Sequence, residues 1–342
     1  MKSNYRFYLT IYIPSYNRLE NIKETLNTLV LQCANFSDIQ IIIQDNCSDI
    51  DYENKLSMEL EQLARYKCRI VVNRNQSNVG MSANILRGFE VASSEWLWLL
   101  SDDDELSMDA VKNLRQAAER ASKDVGFVRF SSPRSNVSTE LVIDSFDKFI
   151  QSSKSVDDFN SYIFISNGIY RLSEFKEQLG HGYIHCHTFV PHYMMLSNFM
   201  LNGGASMISP HVIVNYEVPA VGYNYAMVAG LGVGAPKHVL LNAERKIVRE
   251  FHSIFYPHND IKVLVDLFFQ TKGLKSRSEF VYLGITYINY LIASRSWLWR
   301  RFLKSLVCLR YIPYGFESLV AVMEITSSTA NKHIKEMKKR YE

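Results

Sequence analysis

The sequence lacks several features that would assign it to a common class of protein. Its five cysteines are scattered and form no CxxC pair, which excludes a disulfide framework and fits a reducing compartment. A net charge of +3 is too small to indicate nucleic-acid binding. Residues 1–10 lack the apolar segment of a secretion signal. With 342 residues, of which 47% are hydrophobic, we expect a globular cytoplasmic protein with a substantial core.

One stretch combines a buried strand with an unusual acidic end. The apolar run Trp96–Leu100 has the length and aromatic content of a buried strand, and Asp102, Asp103 and Asp104 follow it after one serine. Adjacent carboxylates repel one another, and burying them unpaired is costly. A hard divalent cation, Mg²⁺ or Mn²⁺, would remove that cost. The alternative is a solvated acidic turn that caps the next helix.

Three earlier strands also run into polar residues. The predicted strands are Tyr8–Ile13, which Pro14 ends, then Ile39–Gln44 and Cys68–Val72, and helices alternate with them. A helix follows the first strand, where Asn17 and Glu20 have the spacing of a capping box. Strand–helix alternation predicts an α/β fold with a mostly parallel sheet and helices on both faces.

The polar residues at the strand ends are expected to meet. Ligands of such sheets bind beyond the carboxyl ends of the strands. Four coincident polar ends therefore favour a binding site over four separate surface turns. The residues concerned are Tyr16, Asn17, Arg18, Asp45, Asn46, Asn78, Gly80 and Asp102–Asp104.

The sequence has no glycine loop that would cradle a phosphate. GxxxxGK[ST] is absent, and the glycine-rich segment Gly230–Gly234 does not sit in a strand–turn–helix unit, so we interpret it as a loop. A diphosphate bridged by a metal ion fits these residues better, because the cation neutralises the phosphates in place of a P-loop.

Four motifs in this order resemble those of family 2 glycosyltransferases with the GT-A fold. They are Ile13–Arg18, Asp45–Asp49, Asn78–Gly80 with Asn84, and Leu100–Asp104. The resemblance covers residues 7–130. It implies a Rossmann-like domain that transfers a sugar, with inversion, from a nucleotide-sugar donor and uses Mn²⁺ or Mg²⁺. It also implies a saccharide or polyprenyl-linked acceptor in bacterial surface polysaccharide synthesis, such as O-antigen or capsule.

The resemblance also implies roles for individual residues. Asp45 would read the edge of the base, and Asn78 and Gly80 would lie against the ribose and diphosphate. Pro14, Ser15, Tyr16, Arg18 and Asp102 would complete the donor site, and Asp103 and Asp104 would bind the metal. The common family pattern is Asp-x-Asp-Asp, and Ser101 stands where its first aspartate would fall. Asp103 is therefore the expected principal metal ligand.

The catalytic base is expected among histidines. The family usually has an aspartate base 80 to 100 residues after the metal motif, but no acidic pair lies between Gly180 and Asn215. We predict His192, and after it His187, because an imidazole pKa near neutrality suits proton transfer. The alternatives are buried structural histidines, a zinc site of Cys186 with three of His181, His185, His187 and His192, or an acidic base at Asp158 or Glu217.

The last third of the chain has a helical pattern. We therefore predict a catalytic domain at residues 1–235 and a helical region at residues 236–342. The uncharged run Phe280–Ala293 has 14 residues, fewer than the roughly 20 that span a bilayer. Aromatic and basic residues alternate in Arg295–Lys304, which indicates contact with an anionic membrane, although an ordinary helical bundle is the alternative. The protein would then lie in the cytoplasm or on the cytoplasmic face of the inner membrane.

Two other functions compete with sugar transfer. A nucleotidyltransferase that makes sugar nucleotides would need a loop like GxGxRxxxxT after the first strand, and Pro14–Arg18 does not provide one. A non-catalytic nucleotide- or sugar-binding module would not need the aspartate triplet, which is intact. The sequence indicates neither the donor sugar nor the oligomeric state.

Overall fold

A computed structural model describes residues 5–63, 68–153, 155–215, 331, 332, 334, 335, 338 and 339. The chain divides into two compact units, Met1–Val218 and Pro219–Glu342, and nearly all described residues belong to the first. The predicted boundary between residues 235 and 236, the glycine-rich loop and the predicted membrane segment at residues 280–304 lie outside the described residues. Within the described part of the chain, no helix is both long and apolar enough to cross a membrane.

An eight-stranded sheet forms the centre of the first unit, in the order β3-β2-β1-β4-β8-β6-β9-β7. The strands β1 to β4 are mutually parallel, β8 runs antiparallel to β4 and β6, β9 is parallel to β6, and β7 is antiparallel to β9. A second sheet pairs β10 with β5. The strands are β1 (Phe7–Ser15), β2 (Ile39–Asp45), β3 (Arg69–Arg74), β4 (Ser94–Leu99), β5 (Glu105–Leu106), β6 (Val125–Ser131), β7 (Leu141–Ile143), β8 (Gly168–Arg171), β9 (Ala205–Val212) and β10 (Val214–Asn215).

Ten α-helices are described in this unit, and two short 3₁₀ turns, Ile165–Asn167 and Cys186–Thr188, accompany them. The helices are α1 (Leu19–Cys33), α2 (Tyr52–Lys55), α3 (Ser57–Leu63), α4 (Met81–Val91), α5 (Ala110–Arg120), α6 (Phe146–Gln151), α7 (Val156–Ile163), α8 (Leu172–Lys176), α9 (Leu179–Ile184) and α10 (Pro191–Leu201). The predicted alternation of strands and helices, and the mostly parallel sheet that follows from it, are confirmed.

Helices cover both faces of the sheet, so the parallel strands are apolar on both sides. Leu9 and Ile11 of β1 pack in one core cluster with the apolar faces of α1 and α5. Tyr12 points to the other face, where its hydroxyl donates to the carbonyl of Asn84 on α4 at 2.6 Å. A Cβ at Gly88 of α4 would come within 2.8 Å of the Tyr12 ring, so glycine allows this close approach.

The end of β1 differs from its prediction in one respect. The strand continues through Pro14 to Ser15, and Pro14 pairs in register with Gln44. The carbonyl of Ser15 faces β2, because it accepts from the amide of Asn46, so the imide nitrogen of Pro14 faces the β4 side. β4 has already ended there, so the missing N–H leaves no ladder hydrogen bond unmade.

The predicted capping box at the start of α1 is wrong. Arg18 occupies the N-cap position, and no side chain caps this helix. Asn17 instead adopts a left-handed backbone with φ of 56°. Its side chain accepts from the amide of Asp49 at 2.9 Å and donates to the Asp49 carboxylate at 3.1 Å. Asn17 therefore ties the loop after β1 to the loop after β2.

Candidate active site

Three loops meet at the carboxyl ends of β1, β2 and β4, as predicted. The amide of Asn46 donates to the carbonyl of Ser15 at 2.9 Å, and Ser15 Oγ donates to Asp102 Oδ2 at 2.6 Å. Ser15 Oγ also lies 3.2 Å from the hydroxyl of Tyr52, which accepts from the amide of Arg18 at 2.6 Å. Ser15 and Tyr52 therefore join the ends of β1 and β4 to the first helix of the β2–β3 connection.

Asp102 is the anchored member of the aspartate triplet. Only 4% of the residue is exposed. Its carboxylate accepts from Ser15 and, at 2.9 Å, from Nη1 of Arg18. Burial raises the pKa of Asp102 above its usual range, and the contacts with Ser15 and Arg18 oppose that shift. Both oxygens of Asp102 are therefore engaged, and the carboxylate holds the side chains of Ser15 and Arg18 in place.

Asp103 is the accessible member, with 47% of its side chain exposed. Its Oδ2 accepts from Arg18 Nη1 at 2.7 Å, and its Oδ1 accepts from the hydroxyl of Ser101 at 2.5 Å. Ser101, which replaces the first aspartate of the family pattern, therefore hydrogen-bonds to the carboxylate two residues after it.

Asp104 carries a buried oxygen that lacks a hydrogen bond. Among the described residues, nothing bonds to its Oδ2. Burial raises the pKa of Asp104 to about 6, a hydrogen bond from Ser166 opposes the shift, and the charges of Asp103 and Asp102 add to it. The hydroxyl of Ser166 also accepts from the amide of Ser101 at 2.8 Å. Ser166, on the first 3₁₀ turn, therefore supports the aspartate loop from the other half of the sheet.

The donor atoms of this loop suit a divalent cation that binds together with phosphates. Within the described part of the chain, no group of three or more His, Cys, Asp or Glu side chains is arranged to hold a metal. Mg²⁺ commonly takes only one or two carboxylates and completes its shell with water and substrate phosphates. For that role the loop offers the unpartnered Oδ2 of Asp104 and the exposed carboxylate of Asp103, whose two oxygens accept from Arg18 and Ser101 in this structure.

Asp45 is buried at the end of β2, and both its oxygens are engaged. Oδ1 accepts from the amide of Ser48 at 2.8 Å, and Oδ2 accepts from Nη1 of Arg74 at 2.6 Å. Arg74 also donates to the carbonyls of Ser48 and Ile50, and its side chain is 41% exposed. Arg74 was not predicted from the sequence, although the parallel pairing of β2 and β3 puts Asp45 and Arg74 in register.

A network of buried amides organises the loops on the same side. Asn75 donates to the side-chain oxygens of Asn46 and Asn84, each at 2.8 Å, and accepts from Gln44 at 2.9 Å. Asn46 in turn donates to Asn78 at 2.8 Å. Asn75 is a second residue that the sequence analysis missed, since its sole signal was a polar side chain after a strand.

The other residues of the predicted donor site are at least partly exposed. Asn78 accepts from the amide of Gly80 at 2.9 Å, and Gly80 has φ of 82° and open space around it. Tyr16 is exposed, and Pro14 is partly exposed in β1. The structure therefore brings Ser15, Arg18 and Asp102 into direct contact, and Asn78 and Gly80 into contact with each other.

The predicted bases lie apart from this cluster. His192 is the second residue of α10 and only 1% exposed; its Nε2 lies 2.9 Å from the carbonyl of Ile163. Burial lowers the pKa of His192 to about 4. No hydrogen bond or ion pair among the described residues joins it to the triplet. A pKa of about 4 differs from the near-neutral value on which the choice of His192 was based, and its role as base remains an untested prediction.

The other candidate bases are found in different settings. His187 lies in the 3₁₀ turn Cys186–Thr188. Asp158, in the first turn of α7, accepts from the hydroxyls of Ser135 and Ser155 at 2.5 and 2.6 Å. Glu217 lies outside the described residues. The rings of His181 and His185 are 4.5 Å apart, and in the described chain no metal cluster includes them.

Comparison with known proteins identifies the family. The family model of glycosyl transferase family 2 matches residues 10–201, more than half of the chain. The chain belongs to glycosyltransferase family 2. The match begins in β1 and ends with α10, so it includes the four motifs on which the resemblance was based, and the predicted family is confirmed.

Two curated relatives illustrate the similarity. The chain is 32% identical over 103 residues to the abequosyltransferase RfbV of Salmonella typhimurium, covering 30% of each protein. It is 27% identical over 146 residues to a GalNAc(5)-diNAcBac-PP-undecaprenol beta-1,3-glucosyltransferase of Campylobacter jejuni, covering 43% of this chain and 46% of the relative. The chain spans about a third of the length of the first curated relatives it matches.

Solved structures confirm that this family 2 member has the predicted GT-A fold. S. aureus TarS 1-349 matches with a TM-score of 0.55 at 14% identity, over 97% of this chain and 89% of TarS. The mannosyltransferase PcManGT from Pyrobaculum calidifontis, in complex with GDP-Man and Mn²⁺, matches with a TM-score of 0.50 at 12% identity, over 98% of this chain and 85% of the enzyme. At these identities the likeness concerns the fold.

Proposed function

We propose that this protein is a metal-dependent, inverting glycosyltransferase that moves a sugar from a nucleoside-diphosphate sugar to a saccharide or polyprenyl-linked saccharide. The observation that carries the proposal is the division of labour within the aspartate triplet. Asp102 is buried and anchored, Asp103 is half exposed, and Asp104 has a buried oxygen without a hydrogen bond. This combination suits a site that completes its cation shell with a diphosphate.

The donor would lie across the ends of β1, β2 and β4. The exposed Tyr16 offers an aromatic surface to the base, and the Asp45–Arg74 pair supports recognition of its edge because Arg74 is the exposed partner. Asn78 and Gly80 are both exposed and would lie on the ribose and diphosphate side. Ser15 and Asp102 would keep the β1 and β4 loops at a fixed separation beneath the diphosphate.

The chain's own residues would perform most of the remaining chemistry. The acceptor hydroxyl forms a bond to the anomeric carbon while the bond from that carbon to the diphosphate oxygen breaks, which inverts the configuration. Asp103 and Asp104 would hold the divalent cation, which would supply positive charge to the diphosphate leaving group. A base on the acceptor side takes the hydroxyl proton. Since His192 is buried, His187 becomes the first candidate for that base, with Glu217 as the acidic alternative.

The acceptor class rests on a relative. The C. jejuni relative is named for a PP-undecaprenol substrate, and we extend a polyprenyl-linked acceptor to this chain on that basis. Such an acceptor would place the reaction in surface polysaccharide synthesis, at the cytoplasmic face of the membrane. The aromatic and basic residues at 295–304 are the proposed contact with anionic lipid.

Donor turnover tests the proposal. The full chain is incubated with UDP-, GDP-, CDP- and dTDP-sugars, and release of nucleoside diphosphate is followed with Mn²⁺ or with EDTA. We expect hydrolysis of one donor class that needs the cation. Asp103→Asn should lower the rate roughly a hundredfold, by analogy with loss of one charge-stabilising group. Asp109→Asn is the matched control, because Asp109 is exposed and caps no helix through its side chain.

Two results would contradict the proposal. Donor hydrolysis that is equally fast in EDTA would show that the reaction does not need a divalent cation. Failure to bind or cleave any donor, together with release of pyrophosphate from a nucleoside triphosphate and a sugar 1-phosphate, would favour a nucleotidyltransferase instead.

A further inference from the structure

The guanidinium of Arg18 lies between two carboxylates of the aspartate triplet. Its Nη1 is 2.9 Å from Asp102 Oδ1 and 2.7 Å from Asp103 Oδ2. The backbone of Arg18 is fixed, since its amide donates to the hydroxyl of Tyr52 at 2.6 Å. The side chain is half exposed, whereas Asp102 is almost fully buried. Arg18 is therefore a cation held on a fixed tether, with its charged end at the edge of the solvent.

One of the oxygens that accept from Arg18 is Oδ2 of Asp103, and Asp103 is the expected principal metal ligand. A divalent cation held by Asp103 would need a carboxylate oxygen of that residue as a ligand. Nη1 of Arg18 already contacts Oδ2, so metal and guanidinium would be close neighbours of like charge. With Oδ1 of Asp103 bonded to Ser101, the carboxylate has no second oxygen that is free of a hydrogen bond. Metal binding and the Arg18 contact therefore compete.

A nucleoside diphosphate changes this competition. It brings at least two negative charges to the site, and these can pair with both the metal and the released guanidinium. Arginine is well suited to phosphate, because its planar donors form charge-assisted hydrogen bonds to phosphate oxygens. Ser15 keeps Asp102 anchored while Arg18 moves, so the loop after β4 does not need to rearrange.

We propose that Arg18 is a tethered counter-cation that occupies the aspartate triplet in the donor-free protein and releases Asp103 to the metal when the diphosphate binds. The inference rests on the proposed function, since it assumes a diphosphate donor. It makes metal binding conditional on the donor: the cation and the nucleotide each raise the affinity of the protein for the other. The half-exposed pair is weak enough to be exchanged readily.

The experiment measures Mn²⁺ affinity without nucleotide, from the electron paramagnetic resonance signal of the free ion. Full-length wild type is compared with Arg18→Gln and Arg18→Lys. We expect Arg18→Gln to bind Mn²⁺ roughly two- to fivefold more tightly than wild type, because the exposed ion pair between Arg18 and Asp103 no longer competes with the ion. Arg18→Lys keeps the positive charge and should stay close to wild type. Adding Asp103→Asn to Arg18→Gln should abolish the gain.

A matched control removes the same charge elsewhere. Arg120 pairs with Glu140 at 3.0 Å, and its side chain is 53% exposed, close to the 50% of Arg18. Arg120→Gln therefore removes the same charge from a similarly exposed ion pair. It should leave the Mn²⁺ affinity unchanged. A thermal unfolding scan of each variant confirms that the proteins are folded before affinities are compared.

Titration with UDP and with GDP separates this inference from the proposed function. In wild type, saturating nucleotide should raise the Mn²⁺ affinity, and this enhancement should be several-fold smaller in Arg18→Gln. Unchanged or weaker Mn²⁺ binding by Arg18→Gln, or no donor-free binding by any variant, overturns the role of Arg18. Absence of any nucleotide–Mn²⁺ coupling in wild type, with every nucleotide tried, would instead count against the proposed function.

Discussion

Asp104→Asn should stabilise the metal-free protein at neutral pH, although it removes a residue of the proposed metal site. Burial raises the pKa of Asp104 from 3.8 to about 6, so its ionised form costs free energy in the folded chain. A difference of about two pKa units corresponds to roughly 3 kcal/mol. Because Asp104 is partly exposed and Asn loses part of the bond with Ser166, we expect a gain of about 2 kcal/mol.

The sign of the pH dependence follows from the same shift. A carboxyl with a raised pKa in the folded state binds more protons than in the unfolded state between these two pKa values. The loss of folding stability caused by ionised Asp104 is absent below the unfolded pKa of 3.8. This loss grows as the pH rises and is complete once the pH exceeds the folded pKa of about 6. The advantage of Asp104→Asn should therefore be complete above pH 6 and shrink as the pH falls toward 4.

Urea unfolding in EDTA at pH 7.5 and pH 4.5 measures this effect. Asp103→Asn is the matched comparison, because its carboxylate is half exposed and pairs with Arg18, and it should bring no gain. We expect the midpoint of Asp104→Asn to exceed that of wild type at pH 7.5 and the difference to fall by more than half at pH 4.5. A lower midpoint at pH 7.5, or a gain that does not depend on pH, would refute the reasoning.

Two further substitutions test the loops around the donor site. Gly80 has φ of 82° and ψ of 159°, a region that other residues avoid, so Gly80→Ala should cost about 2 kcal/mol of strain although the space around it is open. A thermal unfolding midpoint equal to that of wild type would contradict this. Asn75→Ala leaves three buried amide partners short of a hydrogen bond and should cost about 3 kcal/mol. Urea unfolding compares the stability of Asn75→Ala with that of Asn202→Ala, which changes an exposed asparagine. Equal losses of stability in the two variants would contradict a stabilising role of the amide network.

Much of the fold could be predicted because the parallel strands are covered on both faces. Ile39–Asp45 is buried along its whole length, and its four isoleucines followed by polar residues stand out in the sequence. The same reasoning brought four strand ends to one edge of the sheet. The residues after Ser131 were less informative, since β7, α6 and α7 are only three to eight residues long.

The contacts within the site could be predicted only in part. The triplet and its neighbours were found from their position after strands. Which side chain bonds to which depends on register, and this was not visible for Asp45 with Arg74 or for Asn75 with its three partners. Ser166 was missed because it reaches the aspartate loop from more than 60 residues away in the chain.

The histidines show a further limit of pattern reasoning. His192 belongs to α10, where the surrounding residues from Pro191 to Ser197 are all buried. An isolated polar residue in an apolar helix has no amphipathic pattern to indicate which way it faces. Its chemistry suggested a base, but its burial could be learned only from packing.

The central claim is that the aspartate triplet holds a divalent cation together with a nucleoside diphosphate. Crystals grown with Mn²⁺ and UDP or GDP, measured at the manganese absorption edge, test it directly. We expect an anomalous peak within coordination distance of a carboxylate oxygen of Asp103 or Asp104 and of the diphosphate. A nucleotide bound at these strand ends without manganese, or manganese bound at another part of the molecule, would contradict it.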